Sequence, residues 1–356
     1  MEQAHTTVGI LIKKTMQTTK YFIGFDISAD DFSASCITSP DNLVFSTQKF
    51  SNNFDGFEEF VSLLSKNNIK SSEAIICMEA TGVYSEHLSY FLVSKEFTVC
   101  IEAPHKIKNK TKDSPRKNDF VDAQAIAEYA YRFTDKLSAW EPKDEILEQI
   151  QVLLSTREHL TVQMTANINA LKTLKYKYYQ TPLANQIYER TINKLKEHIK
   201  QIDNEIKNLI DKDNTFKNKV SLAKSVPGVG FLLAANLLVL TKGFTEHVNY
   251  KNTAAYSGIC PYEQTSGTSL RKLPRSKRCG PAKLRKLLYL AALSVRTHNI
   301  NFKKYFLRKV AEGKNKRLVL NNIENKLLKI VFAVVNSGVA YTENFKSINP
   351  ALLKTA

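Results

Sequence analysis

The fold is decided by one stretch, Lys117-Asn118-Asp119-Phe120-Val121-Asp122-Ala123-Gln124-Ala125-Ile126-Ala127-Glu128-Tyr129-Ala130. Its apolar residues recur at helical spacing, which predicts a helix. Asp119 and Asp122 lie three residues apart, so both carboxylates belong to one face of its first turn. Two acids on one face, preceded by a basic segment, suit a divalent cation that works on nucleic acid. The alternative is a first turn whose acids only favour the helix dipole.

Two further acids each stand near the end of an apolar strand. The strand at 21–27 carries Asp26, and the strand at 74–79 ends on Glu79. Further strands are predicted at 32–38, 43–50 and 98–102. One helix is predicted from 54 to 65, and another follows Tyr84 and ends at about 94. Three strands, a helix, then alternating strand and helix is the order of a ribonuclease-H-like domain, in which the first and fourth strands are neighbours. Asp26 and Glu79 should then face each other, with the two-aspartate helix across the same edge. Four carboxylates this close need a cation, Mg²⁺ or Mn²⁺.

Composition points to a polyanionic partner. The chain has 356 residues, 51 Lys and Arg against 34 Asp and Glu, and a formal net charge of +17. Nucleic acid is the first candidate, and no apolar run is long enough to span a membrane. The polar stretch 1–20 lacks the features of a signal peptide and is predicted to be a flexible leader. Five cysteines, none paired closely in sequence, predict buried free thiols at Cys36, Cys77 and Cys100 in a reducing compartment. These features together predict a cytoplasmic protein.

The middle of the chain has a heptad-like apolar pattern. It runs from Ile146 to Leu174, is broken at Thr181-Pro182, and resumes from Ile192 to Leu209. Two long helices are predicted, which form either a helical hairpin or an intermolecular coiled coil. The pattern indicates packing and spacing rather than chemistry.

The C-terminal part is basic. Pro227-Gly228-Val229-Gly230 between two apolar helices resembles a helix-hairpin-helix turn, whose backbone N–H groups can hold a phosphate. The 48 residues from Gln264 to Ala311 contain thirteen Lys and Arg and no acid. Such a segment repels itself unless phosphates neutralise it. The nucleic-acid-contact candidates along the chain are Lys106, Lys108, Lys110, Arg116, Lys117, Gly228, Gly230, Arg271, Lys272, Arg275, Lys277, Arg278, Lys283 and Arg285.

Six short motifs, taken in order, resemble the DEDD transposases of the insertion-sequence-110 (IS110/IS1111) family, relatives of the Piv site-specific invertase. They are Gly24–Ser28, Glu79–Tyr84, Lys117–Ala123, Pro227–Gly230, Ser266–Arg271 and Leu284–Tyr289. The resemblance implies a RuvC-like domain that binds Mg²⁺ through Asp26, Glu79, Asp119 and Asp122. It implies a coiled-coil linker for dimer and tetramer assembly, and a C-terminal domain with a nucleophilic serine. It also implies a structured bridge RNA as guide for donor and target DNA, and an active site shared between subunits.

We therefore expect an α/β RNase H-like (RuvC-like) N-terminal domain, a long helical coiled-coil linker and a mostly α C-terminal transposase domain. The expected boundaries are a leader at 1–20, the DEDD domain at 21–140, the helical linker at 141–215, the transposase domain at 216–345 and a tail at 346–356.

The predicted nucleophile is Ser266, with Ser269 second and Tyr262 or Tyr256 as further alternatives. A serine hydroxyl that attacks phosphorus keeps the phosphodiester energy in a covalent link, so strand exchange needs no energy cofactor. Arg271, Arg275 and Arg278 could stabilise the transition state. Two other functions stay open. One is a metal-dependent junction nuclease in which the carboxylates activate water, and the other is a non-catalytic nucleic-acid-binding protein.

Overall fold

The structure is a computed structural model that describes residues 19–80, 82–108, 119–246, 249–266, 270–276 and 280–343, with the backbone alone at 108, 119–121, 263–266 and 270–275. The chain divides into two compact units, Met1–Pro142 and Lys143–Ala356. None of the helices described is long and apolar enough to cross a membrane.

The N-terminal unit is built on a five-stranded mixed sheet. Its strands are β1 (Tyr21–Ile27), β2 (Asp31–Ser39), β3 (Asn42–Ser51), β4 (Ala74–Glu79) and β5 (Thr98–Glu102), in the order β3-β2-β1-β4-β5. The first three strands are antiparallel, and β4 and β5 run parallel to β1. The five strands lie where the apolar runs predict them, and β1 pairs with β4 as expected.

Helices cover the two faces of this sheet. They are α1 (Phe54–Lys66), α2 (Glu86–Ser94), the short α3 (Pro104–Lys108) and α4 (Asp119–Arg132), with 3-10 turns at Ser71–Glu73, Gly82–Ser85 and Thr134–Lys136. One face buries an aromatic cluster in which Phe25 lies 4.9 Å from Phe60 and 5.2 Å from Phe32, centroid to centroid. The Asn53 side chain caps α1 by accepting a hydrogen bond from the Gly56 N–H.

The opposite face packs against α4. Ile126, Ala127 and Ala130 join Phe22 and Ile75 in one buried cluster. The small side chains among them let the helix lie close to the strands. They form the apolar side of the predicted amphipathic helix.

Three cysteines are buried in the sheet as free thiols, as predicted. Burial raises the pKa of Cys36 to about 12 and, with the Glu102 charge, that of Cys100 to about 12. Burial also raises the pKa of Cys77 far above its ordinary value. A thiol whose pKa is raised this far is almost entirely protonated at neutral pH and is therefore a poor nucleophile.

The C-terminal unit begins with two long helices, α5 (Glu145–Leu174) and α6 (Pro182–Lys212), which pack along each other as a helical hairpin. An ion pair joins them, with Arg157 Nε 2.6 Å from Asp203 Oδ1 and Nη2 3.1 Å from Oδ2. Near the open end of the hairpin, Leu147, Ile150 and Ile206 are buried in the same core as the helices that follow. An intermolecular coiled coil stays a prediction.

The rest of the unit, over the residues that the structure describes, is helical apart from one ribbon. Its helices are α7 (Asn214–Ser225), α8 (Phe231–Leu240), α9 (Tyr250–Tyr256), α10 (Ala282–His298), α11 (Ile300–Ala311) and α12 (Lys316–Ser337). The ribbon pairs β6 (Pro261–Ser266) antiparallel with β7 (Leu270–Ser276). The ribbon was not predicted, because neither strand alternates apolar with polar residues and Pro274 lies inside β7. The largely helical character of this half is as expected.

Candidate functional site

Asp26 and Glu79 lie at the same edge of the sheet. Phe25 is in register with Met78, so the two acids, one residue further on, end neighbouring parallel strands. Residues side by side on parallel strands project to the same face. Both acids are half-buried. The structure therefore brings together two residues that are distant in sequence, at the place the predicted sheet order gives them.

Helix α4 crosses the face of β1 next to Asp26. A Cβ on Gly24 would lie 2.1 Å from the Ala123 carbonyl oxygen and 2.3 Å from the Ala127 nitrogen, so only glycine allows this approach. Phe22 contacts Tyr131 at 5.2 Å between ring centroids, which shows that α4 runs antiparallel to β1. Two strand residues advance about as far as four helix residues. Asp26, two residues after Gly24, therefore lies beside the part of α4 that is about four residues nearer its first turn.

The two aspartates of α4 occupy that first turn. Asp119 is the first helical residue, one turn before Ala123, and only its backbone is described. Asp122 has an exposed side chain. The described part of the helix thus starts at Asp119 and carries both aspartates at the end that approaches the strand-end acids.

A fifth acid lies beside Glu79. Glu102 is in register with Glu79 on β5 and is only 4% exposed. Lys106 on α3 forms an ion pair with it, with Nζ 2.7 Å from Oε2, and this hydrogen bond raises the pKa of Lys106. Glu102 is not among the site residues predicted from the sequence. The signal was present, because Glu102 ends an apolar strand in the same way that Glu79 does.

The donor set at this edge suits a hard divalent cation. Carboxylate oxygens are the ligands that Mg²⁺ and Mn²⁺ prefer, and Asp26 and Glu79 present two of them from adjacent strands. Among the side chains the structure describes, no three His, Cys, Asp or Glu residues gather closely enough to hold a metal. The Asp119 side chain, needed to complete the predicted set, lies outside the described atoms.

Of the five predicted nucleic-acid contacts from Lys106 to Lys117, only Lys106 has a described side chain. Lys106 uses its ammonium group on Glu102 while its side chain stays 52% exposed. For Lys108 only the backbone is described, at the end of α3. Lys110, Arg116 and Lys117 lie outside the described residues. Nucleic-acid contact by this segment stays a prediction.

The predicted nucleophile lies on the ribbon. Ser266 is the last residue of β6 and is in register with Leu270, and its side chain is not described. The alternative Ser269 lies in the connecting turn, outside the described residues. Tyr262 is half-buried near the start of β6, and Tyr256 is 49% exposed at the end of α9.

The seven predicted nucleic-acid contacts from Arg271 to Arg285 divide into three groups. Arg271, Lys272 and Arg275 lie on β7 with only their backbone described, and Lys277 and Arg278 fall outside the described residues. Lys283 and Arg285 on α10 are half-buried rather than exposed.

Both half-buried cations of α10 bind backbone oxygens of their own unit. The Lys283 ammonium donates to the Leu154 carbonyl, and burial lowers the pKa of Lys283. Arg285 Nη1 donates to the Ser257 carbonyl at 3.1 Å and to the Gly280 carbonyl at 2.8 Å. Some of the N–H groups of these two side chains therefore stabilise the fold through hydrogen bonds to backbone carbonyls.

The two glycines of the helix-hairpin-helix-like turn have different surroundings. Gly228 has φ +78°, and a Cβ there would lie 2.5 Å from Val295 Cγ1 and 2.9 Å from the Ala291 carbonyl oxygen, so α10 requires glycine at this position. Gly230 precedes the first turn of α8, and a Cβ there would meet no atom within 4 Å. A cavity of about 440 Å³ opens beside the turn and is lined partly by Lys207 and Gly230. A phosphate has room at Gly230.

Comparisons with known proteins agree with this architecture. A transposase family model of the DEDD, IS110 type matches residues 23–179, and a model described as transposase IS116/IS110/IS902 family matches residues 220–307. The chain is 28% identical over 325 residues to the pilin gene-inverting protein of Moraxella lacunata, which covers 90% of this chain and 97% of that protein. It is 26% identical over 297 residues to the transposase for insertion sequence element IS1111A of Coxiella burnetii. That match covers 75% of this chain and 79% of that protein.

Proposed function

Since the chain belongs to the IS110-type DEDD transposase family, we propose that it cuts and rejoins DNA strands through a covalent phosphoserine link. The observation that carries this proposal is the placement of Asp26 and Glu79 on adjacent parallel strands, with the two-aspartate turn of α4 at the same edge. The pilin gene-inverting relative supports site-specific recombination as the reaction class.

The acid edge belongs to a RuvC-like, RNase H-like domain in this proposal. Asp26, Glu79, Asp119 and Asp122 would hold Mg²⁺ or Mn²⁺, because carboxylate oxygens are the preferred ligands of these cations. A bound divalent cation supplies Lewis-acid stabilisation of the charged phosphate. The sheet register and the close approach at Gly24 fix the strand acids and α4 before substrate arrives, so little reorganisation is needed.

Ser266 supplies the nucleophile. Its Oγ forms a bond to phosphorus as the bond from phosphorus to one deoxyribose oxygen breaks, the hydroxyl proton leaves, and the freed oxygen ends as a DNA hydroxyl. Attack by another DNA hydroxyl reverses the step and releases the serine. Arg271, Arg275 and Arg278 would neutralise the phosphate in the transition state, since guanidinium groups match phosphate geometry.

Nucleic acid contacts extend beyond the scissile phosphate. The family resemblance implies donor and target DNA, a bridge RNA as guide and a homo-oligomer, dimeric and then tetrameric at synapsis. The acid-free segment from Gln264 to Ala311 is suited to a polyanion, and Gly230 leaves space for a phosphate at the start of α8. RNA that co-purifies with the protein, once sequenced, tests the guide directly.

The serine hypothesis is tested by trapping the covalent intermediate. Full-length protein is incubated with Mg²⁺, co-purified RNA and end-labelled duplex DNA that carries a nick beside the cleavage site, and the protein–DNA adduct is measured on a denaturing gel. Ser266→Ala should abolish the adduct while Ser269→Ala retains it, with DNA affinity unchanged in both. An adduct that survives Ser266→Ala excludes this serine. Free 5′-phosphates without any adduct indicate the junction nuclease instead.

The acid edge is tested with isosteric variants. Asp26→Asn, Glu79→Gln, Asp119→Asn and Asp122→Asn should each reduce the strand-exchange rate by at least about a hundredfold, because each removes one ligand charge. Asp41→Asn is the matched control, since Asp41 lies exposed in the β2–β3 turn at the other end of the strands. Wild-type rates in chelator would refute a metal requirement.

A further inference from the structure

A large cleft opens in the C-terminal unit near the base of the ribbon. Its volume is about 900 Å³, within the roughly 300–1,000 Å³ of typical ligand sites. The segment before β6, the first half of α10 and the first half of α12 form its walls. Gly228 and Gly230 of the glycine turn are not among the described residues that line it.

The rim of the cleft is cationic. Arg317 is exposed in the first turn of α12, which contains no acid, although a helix N-terminus disfavours positive charge. Lys286 is exposed and is paired with Glu158 at 3.1 Å. Arg285 is held in place by the carbonyls of Ser257 and Gly280. Three cations around one opening, one of them at a helix N-terminus, fit a phosphate group.

Among the described residues that line the cleft, the acid is Glu324. Glu324 is 6% exposed, and it belongs to the side of α12 that lines the cleft. Burial raises the pKa of Glu324 to about 7, against the opposing effect of the Arg317 charge. Burial removes most of the hydration of this carboxyl, which is costly to the fold unless hydrogen-bond donors replace the lost water. A ligand that brings N–H donors to it would offset this cost.

An aromatic ring lies on the same wall as two of the cations. Tyr289 follows Lys286 by one helical turn on α10 and is 39% exposed. Exposed tyrosine rings beside cations are the usual platforms on which unpaired bases stack.

We propose that this cleft binds one unpaired nucleotide of the nucleic-acid substrate, with its phosphate at Arg317 and Lys286 and an amino-bearing base edge at Glu324. The proposal rests on the proposed function for the nature of the substrate. The nucleotide must be unpaired, because the Watson–Crick edge of a paired base cannot reach a buried carboxylate. Adenine, cytosine and guanine carry an exocyclic amine that a carboxylate accepts. Thymine offers only one N–H, flanked by two carbonyl oxygens that repel a carboxylate.

The position of the cleft relates it to the reacting strand. Pro261 and Ser276, which line the cleft, are in register at the base of the ribbon. Ser266 lies five residues further along β6, about 17 Å for an extended strand. A nucleotide in the cleft would therefore lie a few nucleotides from a phosphate at Ser266, so the cleft would sense the sequence or strandedness that flanks the cleavage site.

The experiment measures the affinity of the full-length protein for fluorescein-labelled oligonucleotides of eight identical nucleotides (dA, dC or dT) by anisotropy. The wild type should bind dA and dC about tenfold more tightly than dT. Glu324→Gln should remove this preference, since an amide both donates and accepts. Arg317→Ala should weaken binding to all three oligonucleotides and keep the preference. Glu312→Gln, at an exposed acid paired with Lys309, is the matched control and should behave as wild type.

Equal affinity of the wild type for all three oligonucleotides, or an unchanged preference in Glu324→Gln, would overturn the proposal. Thermal melting checks that Glu324→Gln folds, and Glu324→Asp gives a second variant that keeps the charge but shortens its reach. The adduct assay separates this proposal from the proposed function. A base preference without a Ser266-dependent adduct supports the cleft alone, and an adduct without a preference overturns the cleft alone.

Discussion

The two units of the chain hold their charged groups in different ways. In the N-terminal unit, Asp26, Glu79 and Glu102 end neighbouring strands, and Lys106 neutralises the buried one. In the C-terminal unit, Glu324 is buried on a helix without such an ion pair among the described residues. Sheet register thus places distant acids side by side in a predictable way. Helical periodicity indicates only which side of a helix a charge occupies.

The largest expected effect concerns the close approach in the N-terminal unit. Gly24→Val should lower the free energy of unfolding by about 3 kcal/mol or more, because its Cβ would meet the backbone of α4 rather than a movable side chain. Trp140 is the single tryptophan and belongs to this unit, so its fluorescence in urea reports the change. Gly230→Ala in the other unit is the control and should change stability by less than about 0.5 kcal/mol. Equal effects would refute the close approach.

The buried acid of the C-terminal unit should make stability depend on pH. The folded pKa of Glu324, about 7, lies above the ordinary 4.5, so the folded state holds the proton more tightly than the unfolded state. Stability is therefore greatest below pH 4.5 as far as this group is concerned, and falls by up to about 3 kcal/mol as the pH rises through 7. Hydrogen exchange of α12 peptides at pH 5 and pH 8, compared between wild type and Glu324→Gln, measures this. A pH dependence that persists in Glu324→Gln would assign it to other groups.

A smaller effect should follow when Lys106 loses its charge. Lys106→Met leaves Glu102 buried beside Glu79 without its cation, and we expect a loss of about 1–2 kcal/mol, reduced by the exposure of the lysine. Because the pKa of Lys106 is raised, its contribution is complete at neutral pH and is lost only above about pH 10.5. The double variant Glu102→Gln/Lys106→Met should recover stability in the Trp140 assay.

The control for Lys106 is Lys95→Met, which removes an exposed pair with Glu58 and should cost less than about 0.5 kcal/mol. If Lys106→Met only weakens DNA binding and leaves stability unchanged, the residue is a phosphate contact and not an internal counter-ion.

The smallest effect distinguishes structural from nucleic-acid-binding cations in the C-terminal unit. Lys283→Met should cost about 1 kcal/mol of stability, because the Leu154 carbonyl loses its donor. The slope of log affinity for DNA against log salt should stay unchanged in this variant. Arg271→Ala should instead lower the slope by about one at constant stability. A reduced slope in Lys283→Met would show that the ammonium also reaches phosphate.

The sequence predicted the sheet better than the ribbon, for a physical reason. Buried strands at Tyr21–Ile27 and Ala74–Glu79 are continuous apolar runs, and a single acid at the end of each is conspicuous. The ribbon Pro261–Ser276 is polar and basic, contains two prolines, and pairs its strands without an alternating pattern. Its pairing is therefore visible only in three dimensions.

The same limit applies to individual charges. The salt partner of Lys106 is four residues away and ends the preceding strand, so it could have been found in the sequence. The partners of Lys283 and Arg285 could not, because backbone carbonyls at Leu154 and Ser257 leave no mark in a sequence. The sequence predicts Lys283 and Arg285 as nucleic-acid contacts, and the structure has both half-buried.

Because the thiols buried in the sheet are unreactive, a dye can be directed to Cys260. Cys36, Cys77 and Cys100 are enclosed and almost entirely protonated at neutral pH, whereas Cys260 is half-buried between Ile259 and Pro261, two residues that line the cleft. After Cys279→Ser, a maleimide dye would attach at Cys260 under native conditions. Such a dye would be attached between two residues that line the cleft, so its emission would report occupancy of the cleft in real time, with the sheet left chemically untouched.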